Sequence, residues 1–361
     1  MKLRKIIVVS PGRTCLFGDH QDYLGLPVIA CAINRYINLK AIENRRSCFK
    51  IDLPDISQSR EISIGTIFNQ VDYRDYFASS LKTVRRYGCI PDKGFDIEIK
   101  GNLPVNAGVS SSSALIIAWI RFLVEAYGID QAVTPVLISR MAYEAEVLEH
   151  NEPGGLMDQY SIGIGNVLFI GTGEKASHEM IQEDVKGLIV GESGVKKETI
   201  STLGNLKAKA LTAIEYVTDK NPDFRIESAM LNDYDRYEKY VPLELKPIFF
   251  AALKNYDITL KALNEFRKEN PNMKYIGSLM NEHHLILKNI LKVTVPRIDK
   301  MVENALKAGA YGVKIVGSGG GGSIVAIAPE EKEQKVIESI LQGGGKAAYK
   351  VQVDQGARVV L

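Results

Sequence analysis

Residues 94–120 read GFDIEIKGNLPVNAGVSSSSALIIAWI. A strand ends near Gly101, the chain turns at Leu103-Pro104, and a run of small residues delivers it into a helix. The helix opens on serines and closes at Gly128, which predicts a capped and largely buried element over 110–128. Small side chains let a phosphate approach the backbone closely. The first N–H groups of a helix lack internal partners, and the helix dipole adds partial positive charge there. The hydroxyls of Ser110 to Ser113 can cap the helix, bond phosphate oxygens or ligate Mg²⁺. One serine satisfies a cap; four of them after Ala107-Gly108 exceed that need. The loop is not of the Walker A type, because no Gly-Lys-Ser/Thr follows, and GGGKA at 343–347 fails that pattern too.

Around this stretch the chain has 361 residues, which favours two domains. Its formal net charge of +2 is too balanced for a nucleic-acid or anionic-membrane partner. Cys15, Cys31, Cys48 and Cys89 form no CxxC pair, so neither zinc nor a redox motif is signalled, and reduced thiols in a cytoplasmic protein are expected. The start, MKLRKIIVVSPG, holds an apolar run too short for a leader, so it is expected to be a first strand. No apolar segment is long enough to span a bilayer. Short β-like runs follow at IIVVS, PVIACAI, RYINLKAI and GFDIEIKG. Helical spacing marks DYRDYFASSLKTVRRYG and LISRMAYEAEVLEH. Residues 197–310 read as mostly helical, and strands return at GVKIV, SIVAIA and AAYKVQV. The expected fold is α+β: a mixed N-terminal domain over 1–190 and a helix-rich C-terminal domain with its own small sheet over 191–361.

Three further stretches carry chemistry. Residues 313–328, VKIVGSGGGGSIVAIA, formally match G-x-G-x-x-G at Gly317, Gly319 and Gly322. A dinucleotide fingerprint needs a helix after the glycines, and here a second β run follows. A flexible hairpin that braces the first loop or a substrate is expected instead. In EAEVLEHNEPGGLMDQYSIGIG, Asp158 follows a Pro-Gly-Gly turn and Glu146 lies near a helix end; a carboxylate so placed serves as a base, a metal ligand or a cap. Residues 11–25, PGRTCLFGDHQDYLG, crowd Arg13, Asp19, His20, Asp22 and Tyr23 around two glycines at the end of an apolar run. Such a mixture of donors and acceptors suits a polyol.

Together and in this order these motifs resemble the GHMP small-molecule kinases, the superfamily of galactokinase, homoserine kinase and mevalonate kinase. PGRTCLFGDHQDYLG is similar to the galactokinase signature, LPVNAGVSSSSA to the phosphate loop, VKIVGSGGGGS to the third motif, and GGLMDQ to the galactokinase Gly-Ile-Met-Asp-Gln segment. SLMNEHHLILKN and VPRIDKMVENALKAGAYGVKI also resemble the segment before motif three. The resemblance touches both ends and the middle; residues 45–90 and 170–270 carry no match.

The resemblance implies the two-domain GHMP kinase fold and an ATP- and Mg²⁺-dependent sugar kinase acting at the anomeric hydroxyl. It makes Asp158 the candidate base and Arg13 its partner at the reacting hydroxyl. Asp19, His20, Asp22, Tyr23 and the backbone at Gly155 become acceptor-binding candidates. Ala107, Gly108 and Ser110, Ser111, Ser112 and Ser113 are implied on the ATP phosphates, and Gly317, Gly319, Gly320 and Gly321 as the third loop. Ser112 with Glu146 is implied for Mg²⁺. Arg13 beside Asp158 leads us to expect Asp158 to orient the hydroxyl as much as deprotonate it. The implied partner is a small-molecule sugar, and a monomer or homodimer is expected. Asp19 stands where the family has a glutamate, Leu24 where galactokinases have a polar Asn, and Gly320 where they carry Phe. EHNEPGG is closer to the mevalonate-kinase branch. The alternatives are a kinase for mevalonate or another small alcohol, and a non-catalytic sugar sensor on the same fold.

Overall fold

The computed structural model describes residues 3–173, 175–181, 185–196 and 199–361, with the side chains of 199–202 left aside. The first half of the chain forms β1 (Lys5–Phe17), β2 (Val28–Glu43), β3 (Cys48–Leu53), β4 (Gln58–Ser63), α1 (Tyr76–Arg85) and β5 (Phe95–Gly101). After these come α2 (Ser111–Tyr127), α3 (Pro135–Tyr143), a π-helical turn over Glu144–Leu148, α4 (Met157–Ile164), β6 (Val167–Gly171) and β7 (Ser177–Ile181). The two runs PVIACAI and RYINLKAI, read separately in the sequence, are one sixteen-residue strand. β2 pairs with β1 along its length, with β6 through its first residues and with β5 through its last.

The register of β1 on β2 shifts between Pro11 and Gly12, so Pro11 opposes Tyr36 while Gly12 opposes Ile33. The extra residues, Asn34 and Arg35, lie on β2, so β2 is the bulged strand and β1 runs on unbroken opposite it. The apolar run therefore does not end where the polar crowd begins: β1 continues to Phe17, and Arg13 lies on the strand itself. Gly12 is required opposite this bulge by a close approach. A Cβ there would sit 2.3 Å from Leu103 Cδ1 and 2.9 Å from the Val109 carbonyl, both in the loop that enters α2. That helix is buried against the sheet, where Trp119 and Phe122 meet Phe49 and Trp119 also meets Phe77 edge-on.

The second half comprises β8 (Leu188–Glu192), α5 (Thr199–Lys220), the short α6 (Tyr234–Tyr237), α7 (Lys246–Phe266), α8 (Met273–Asn289) and α9 (Pro296–Ala308). It closes with β9 (Gly312–Ile315), β10 (Ser323–Ile327), α10 (Glu333–Gln342), β11 (Ala347–Lys350) and β12 (Arg358–Val359). Among the described residues, a second sheet runs in the order β11-β8-β10-β9, while the first runs β12-β1-β2-β5-β3-β4 with β6 and β7 attached beside β2. The sheets do not divide the chain at one point. β8 spans the expected 190/191 boundary and lies wholly in the second sheet, and β12 returns to pair with β1. Between β11 and β12 the segment crosses the first sheet: Asn166 N–H donates to the Asp354 carbonyl (2.6 Å) and Ala357 N–H to Ile162 of α4 (2.9 Å).

Candidate active site

Just past the bulge of β2, Arg13 of β1 reaches the start of α4. Its Nε donates to Asp158 Oδ1 (2.7 Å), Nη2 to Asp158 Oδ2 (2.9 Å) and Nη1 to the Gly108 carbonyl (2.6 Å). Burial alone would lower the basicity of this guanidinium, but the Asp158 charge outweighs it and the Arg13 pKa is raised. Asp158, expected on a glycine loop, is the second residue of α4, so its carboxylate lies in the first turn, where the helix dipole favours negative charge. Ser110 Oγ donates a short hydrogen bond to Asp158 Oδ2. Ser110 precedes α2 but does not cap it through its side chain; it adopts a left-handed conformation, φ 60°, with its hydroxyl turned to Asp158. A non-glycine residue held there stores strain, a recurrent feature of functional sites.

The phosphate-loop candidates are fixed from two sides. Arg13 N–H donates to the Val109 carbonyl (3.1 Å), and Ser323 Oγ of β10 donates to the Ala107 carbonyl. Ser111, Ser112 and Ser113 then form the first turn of α2. Facing them, α3 ends in the π-helical turn that carries Glu146. A π turn adds a residue to the helical circuit and rotates the residues after it, and such turns concentrate at functional sites. Glu146 is 8% exposed, not the solvated helix residue its sequence position alone favours. It accepts from Gln159 Nε2 at 2.7 Å. Burial pushes its pKa up, against the lowering pull of Ser113, Gln159 and Ser112 beside it.

The turn over residues 18–26 leaves β1 with Gly18 and His20 at positive φ. His20 Nδ1 lies 3.3 Å from the Tyr23 hydroxyl, whose own pKa burial raises. Tyr23 N–H donates to Asp22 Oδ1 (2.9 Å). Asp22 Oδ2 is so close to Gly155 that a Cβ there would approach it to 2.3 Å. Burial, then the like charge of Asp158, raises the Asp22 pKa to about 7. Thr172 Oγ1 holds the turn through the Asp22 and Leu26 carbonyls, at 2.9 and 2.7 Å. Leu24 packs with Leu26 into an apolar cluster that includes Ala210, Ala213 and Phe249 of α5 and α7. An apolar residue at position 24 thus anchors the motif on the helical half.

Asp19 is placed differently from its neighbours. Both its carboxylate oxygens are engaged within the protein, Oδ2 by Lys314 Nζ and Oδ1 by the Gly317 N–H at 2.5 Å. Lys314 Nζ also donates to the Cys15 carbonyl (3.0 Å). Both side chains of the pair are fully buried. Burial alone would raise the Asp19 pKa, but the Lys314 charge reverses the sign and takes it down to about 2. Lys314 was missed by sequence reasoning. Its signal was a lysine at the centre of VKIVG, inside a strand that is otherwise apolar.

Gly317, Gly319, Gly320, Gly321 and Gly322 join β9 to β10, and all five have positive φ, which accounts for their number. The hairpin expected to be flexible is anchored at several points. Besides the bond to Asp19, Gly320 N–H donates to the Val293 carbonyl (2.8 Å) and Gly322 N–H to that of Val195 (3.2 Å). His150 lies against Tyr76 edge-on, ring centroids 5.6 Å apart, and its Nδ1 accepts from Arg74 N–H at 3.3 Å.

These pieces enclose one cavity of about 550 Å³, within the range of small-molecule sites. Arg13, Asp19, His20, Asp22, Tyr23, Asp158 and Gly155 border it, together with Ser110 to Ser112, Glu146 and Gly317. Ala107, Ser113, Gly319, Gly320 and Gly321 stand behind that lining rather than in it. Among the described residues no three His, Cys, Asp or Glu side chains cluster as a metal cage. The donor set instead suits a hard cation that takes one or two carboxylates and leaves its other positions to phosphate and water. No described helix is long and apolar enough to cross a membrane, and the four cysteines are free and buried.

Three family models match the chain: the GHMP kinases N terminal domain over residues 75–166, the GHMP kinases C terminal over 259–346, and the galactokinase galactose-binding signature over 2–40. Among curated relatives, a galactokinase of Thermococcus kodakarensis is 28% identical over 351 residues, covering 93% of each chain. A mevalonate kinase of Thermococcus gammatolerans is 26% identical over 364 residues, covering 98% of each. Among solved structures, Lactococcus lactis galactokinase complexed with galactose superposes with a TM-score of 0.86 at 21% identity, over 98% of this chain and 95% of that one. Methanococcus jannaschii mevalonate kinase gives 0.72 at 20%, over 97% and 99%. The three models fall in chain order on the strand that carries Arg13, the serine loop with Asp158, and the third glycine loop, the same three pieces that wall the cavity. The chain belongs to the GHMP kinases, ATP-dependent phosphotransferases built on this two-part α+β fold.

Proposed function

We propose that this protein transfers the γ-phosphate of Mg·ATP to a neutral sugar, at the anomeric hydroxyl of galactose or a close relative. The observation that carries the reading is the charge of the wall around Asp158. Asp22 and Asp158 present carboxylates, and the cation among them, Arg13, is already bidentate on Asp158. A polyol suits such a wall: carboxylates accept from its hydroxyls, while His20, Tyr23 and the backbone at Gly155 donate. Mevalonate carries a carboxylate of its own, which would meet the Asp158 charge, and the ionised fraction of Asp22, with Arg13 already taken. The relatives support both branches at similar identity, so the wall is what tips the choice.

In this reading Asp158 accepts the hydrogen bond of the attacking hydroxyl and sets its line of approach. Arg13 has five N–H donors, of which three are engaged, so two remain to serve the transferring phosphoryl group. Ser110 to Ser112 and the start of α2 receive the nucleotide phosphates, with Ser113 behind them. Ser112 and Glu146 are the residues that would hold Mg²⁺, whose charge neutralises phosphate oxygens as negative charge shifts during transfer. Asp19 positions rather than contacts: it ties the third glycine loop to the turn that carries His20 and Asp22. A chain division near residue 190, with the nucleotide and acceptor gathered where the two parts meet, belongs to the same proposal.

The test is ADP release measured across galactose, N-acetylgalactosamine, arabinose, fucose, heptoses, glucuronate, galacturonate and mevalonate. A neutral sugar should give the highest kcat/KM. Preferred turnover of mevalonate or a uronate would overturn the reading, and a flat response with intact ATP binding would make the protein a sensor.

A further inference from the structure

Of the lysine and arginine side chains that border the cavity, two are committed to carboxylates. Arg13 is bidentate on Asp158, and Arg74 reaches Glu152 through Nε (2.7 Å) and Nη2 (3.2 Å). The third, Lys196, has no ion pair among the described residues, and it is exposed at the cavity edge. A triphosphate brings about four negative charges, of which one Mg²⁺ offsets two. A cavity that spends its buried arginine on its own aspartate needs another cation to meet the rest.

The backbone before Lys196 is built to hold that residue in one place. Ser193 N–H and Ser193 Oγ both donate to the Gly322 carbonyl, at 2.8 and 2.7 Å. The same hydroxyl accepts from Val195 N–H (3.1 Å), and Gly322 N–H returns a bond to the Val195 carbonyl (3.2 Å). Arg297 Nη1 secures the Ser193 carbonyl at 3.1 Å. Residues 193–196 are thereby fastened to the third glycine loop. They press on it so closely that a Cβ on Gly321 would lie 2.7 Å from the Val195 carbonyl and 3.2 Å from that of Lys196. The glycine loop also donates to Asp19 and borders the cavity at Gly317 and Ser318.

We infer that Lys196 is a nucleotide-phosphate ligand, a cation carried to the cavity by the third glycine loop and placed opposite the serines of α2. The inference rests on the nucleotide phosphates lying along Ser110–Ser112, as in the function proposed above. On this assignment the third loop does more than brace its neighbours: it brings the positive charge that Arg13, held by Asp158, cannot supply alone.

The experiment is equilibrium binding of ATP, ADP and AMP, with Mg²⁺ present and no acceptor, to the wild type, Lys196→Met and Lys196→Arg. Lys196→Met should weaken ATP binding about 10- to 100-fold, as expected for a charge-assisted hydrogen bond. It should weaken ADP less and leave AMP within about twofold, and the salt dependence of ATP binding should flatten. Lys196→Arg should recover most of the loss. An equal loss for all three nucleotides, or none, overturns the assignment. So does an intact ATP affinity joined to a raised acceptor KM, which would make Lys196 an acceptor residue. Nucleotide binding needs no acceptor, so a protein inactive on every sugar tested still reports on the role of Lys196. Because the side chain is exposed, a melting curve that matches the wild type excludes a folding defect.

Discussion

Arg13 and Asp19 leave the same short stretch of chain and end in ion pairs of opposite character. The Arg13–Asp158 pair opens on the cavity, with the Asp158 side chain 27% exposed, whereas the Lys314–Asp19 pair is completely enclosed. An enclosed pair repays its desolvation only through good geometry and further hydrogen bonds, and here the Gly317 N–H and the Cys15 carbonyl complete it. The open pair keeps unused donors and a surface that a ligand can reach. The same two charge types serve architecture in one place and chemistry in the other, and exposure decides which.

The sharpest way to break this contrast is to neutralise one member of each pair. Asp158→Asn should lower kcat by about 10²- to 10⁴-fold, in the range of a lost positioned base, and cost less melting temperature than Lys314→Met, because its pair opens on the cavity. Steady-state kinetics and calorimetry on the same preparation check both. Lys314→Met should do the reverse. It strands a buried carboxylate, costing about 3–5 kcal/mol of stability and several degrees of melting temperature, while kcat per folded molecule falls less than tenfold. If Lys314→Met spared the melting temperature and abolished turnover, the enclosed pair would be chemical after all.

A smaller effect sharpens the acceptor end. Gly155→Ala places a methyl against the Asp22 carboxylate, and the acceptor KM should rise about tenfold with ATP binding unchanged. An unchanged acceptor KM would remove Asp22 and Gly155 from the sugar wall.

The mildest test is pH. The folded-state pKa of Asp22, about 7, lies above its unfolded value of about 4, so between these values the native state holds the extra proton. Stability from this group is therefore full at low pH and falls as pH rises toward 7. Asp19 has the opposite sign: with a folded pKa of about 2, its contribution is present above about 4 and is lost as pH falls toward 2. Melting temperatures of the wild type and Asp22→Asn from pH 5 to 8 should diverge in slope, the variant lacking the Asp22 decline. Parallel curves would show that Asp22 does not titrate in this window.

Much of the site was legible because its pieces are local. Ser110–Ser113 ahead of an apolar helix, the five glycines, and Arg13 near a strand each announce themselves over a few residues. What could not be read was which of these meet. Ser110 looks like a cap until α4 brings Asp158 to it, and nothing in the sequence around Asp19 shows that β9 brings Lys314 to its carboxylate. The fold shows the same limit. Strands β3 and β4 lie in a stretch without a recognisable motif, and β3 is parallel to β5, a pairing that no adjacent turn encodes. Pro11-Gly12 made one strand look finished because the Pro-Gly dipeptide is an ordinary stop signal, and only the bulge opposite it in β2 and the loop pressing at Leu103 and Val109 explain its use inside a strand.

The crossing segment between β11 and β12 has a consequence for synthesis. β1 leaves the ribosome long before β12, the strand that covers its outer edge, and the contacts of Asp354 and Ala357 around α4 come only with that later segment. A nascent chain can thus carry every residue of the cavity while the helix bearing Asp158 still lacks its brace. A chain cut before Asp354 would hold the whole active-site inventory without the clasp that sets it, which ties the onset of activity to the synthesis of the segment between β11 and β12.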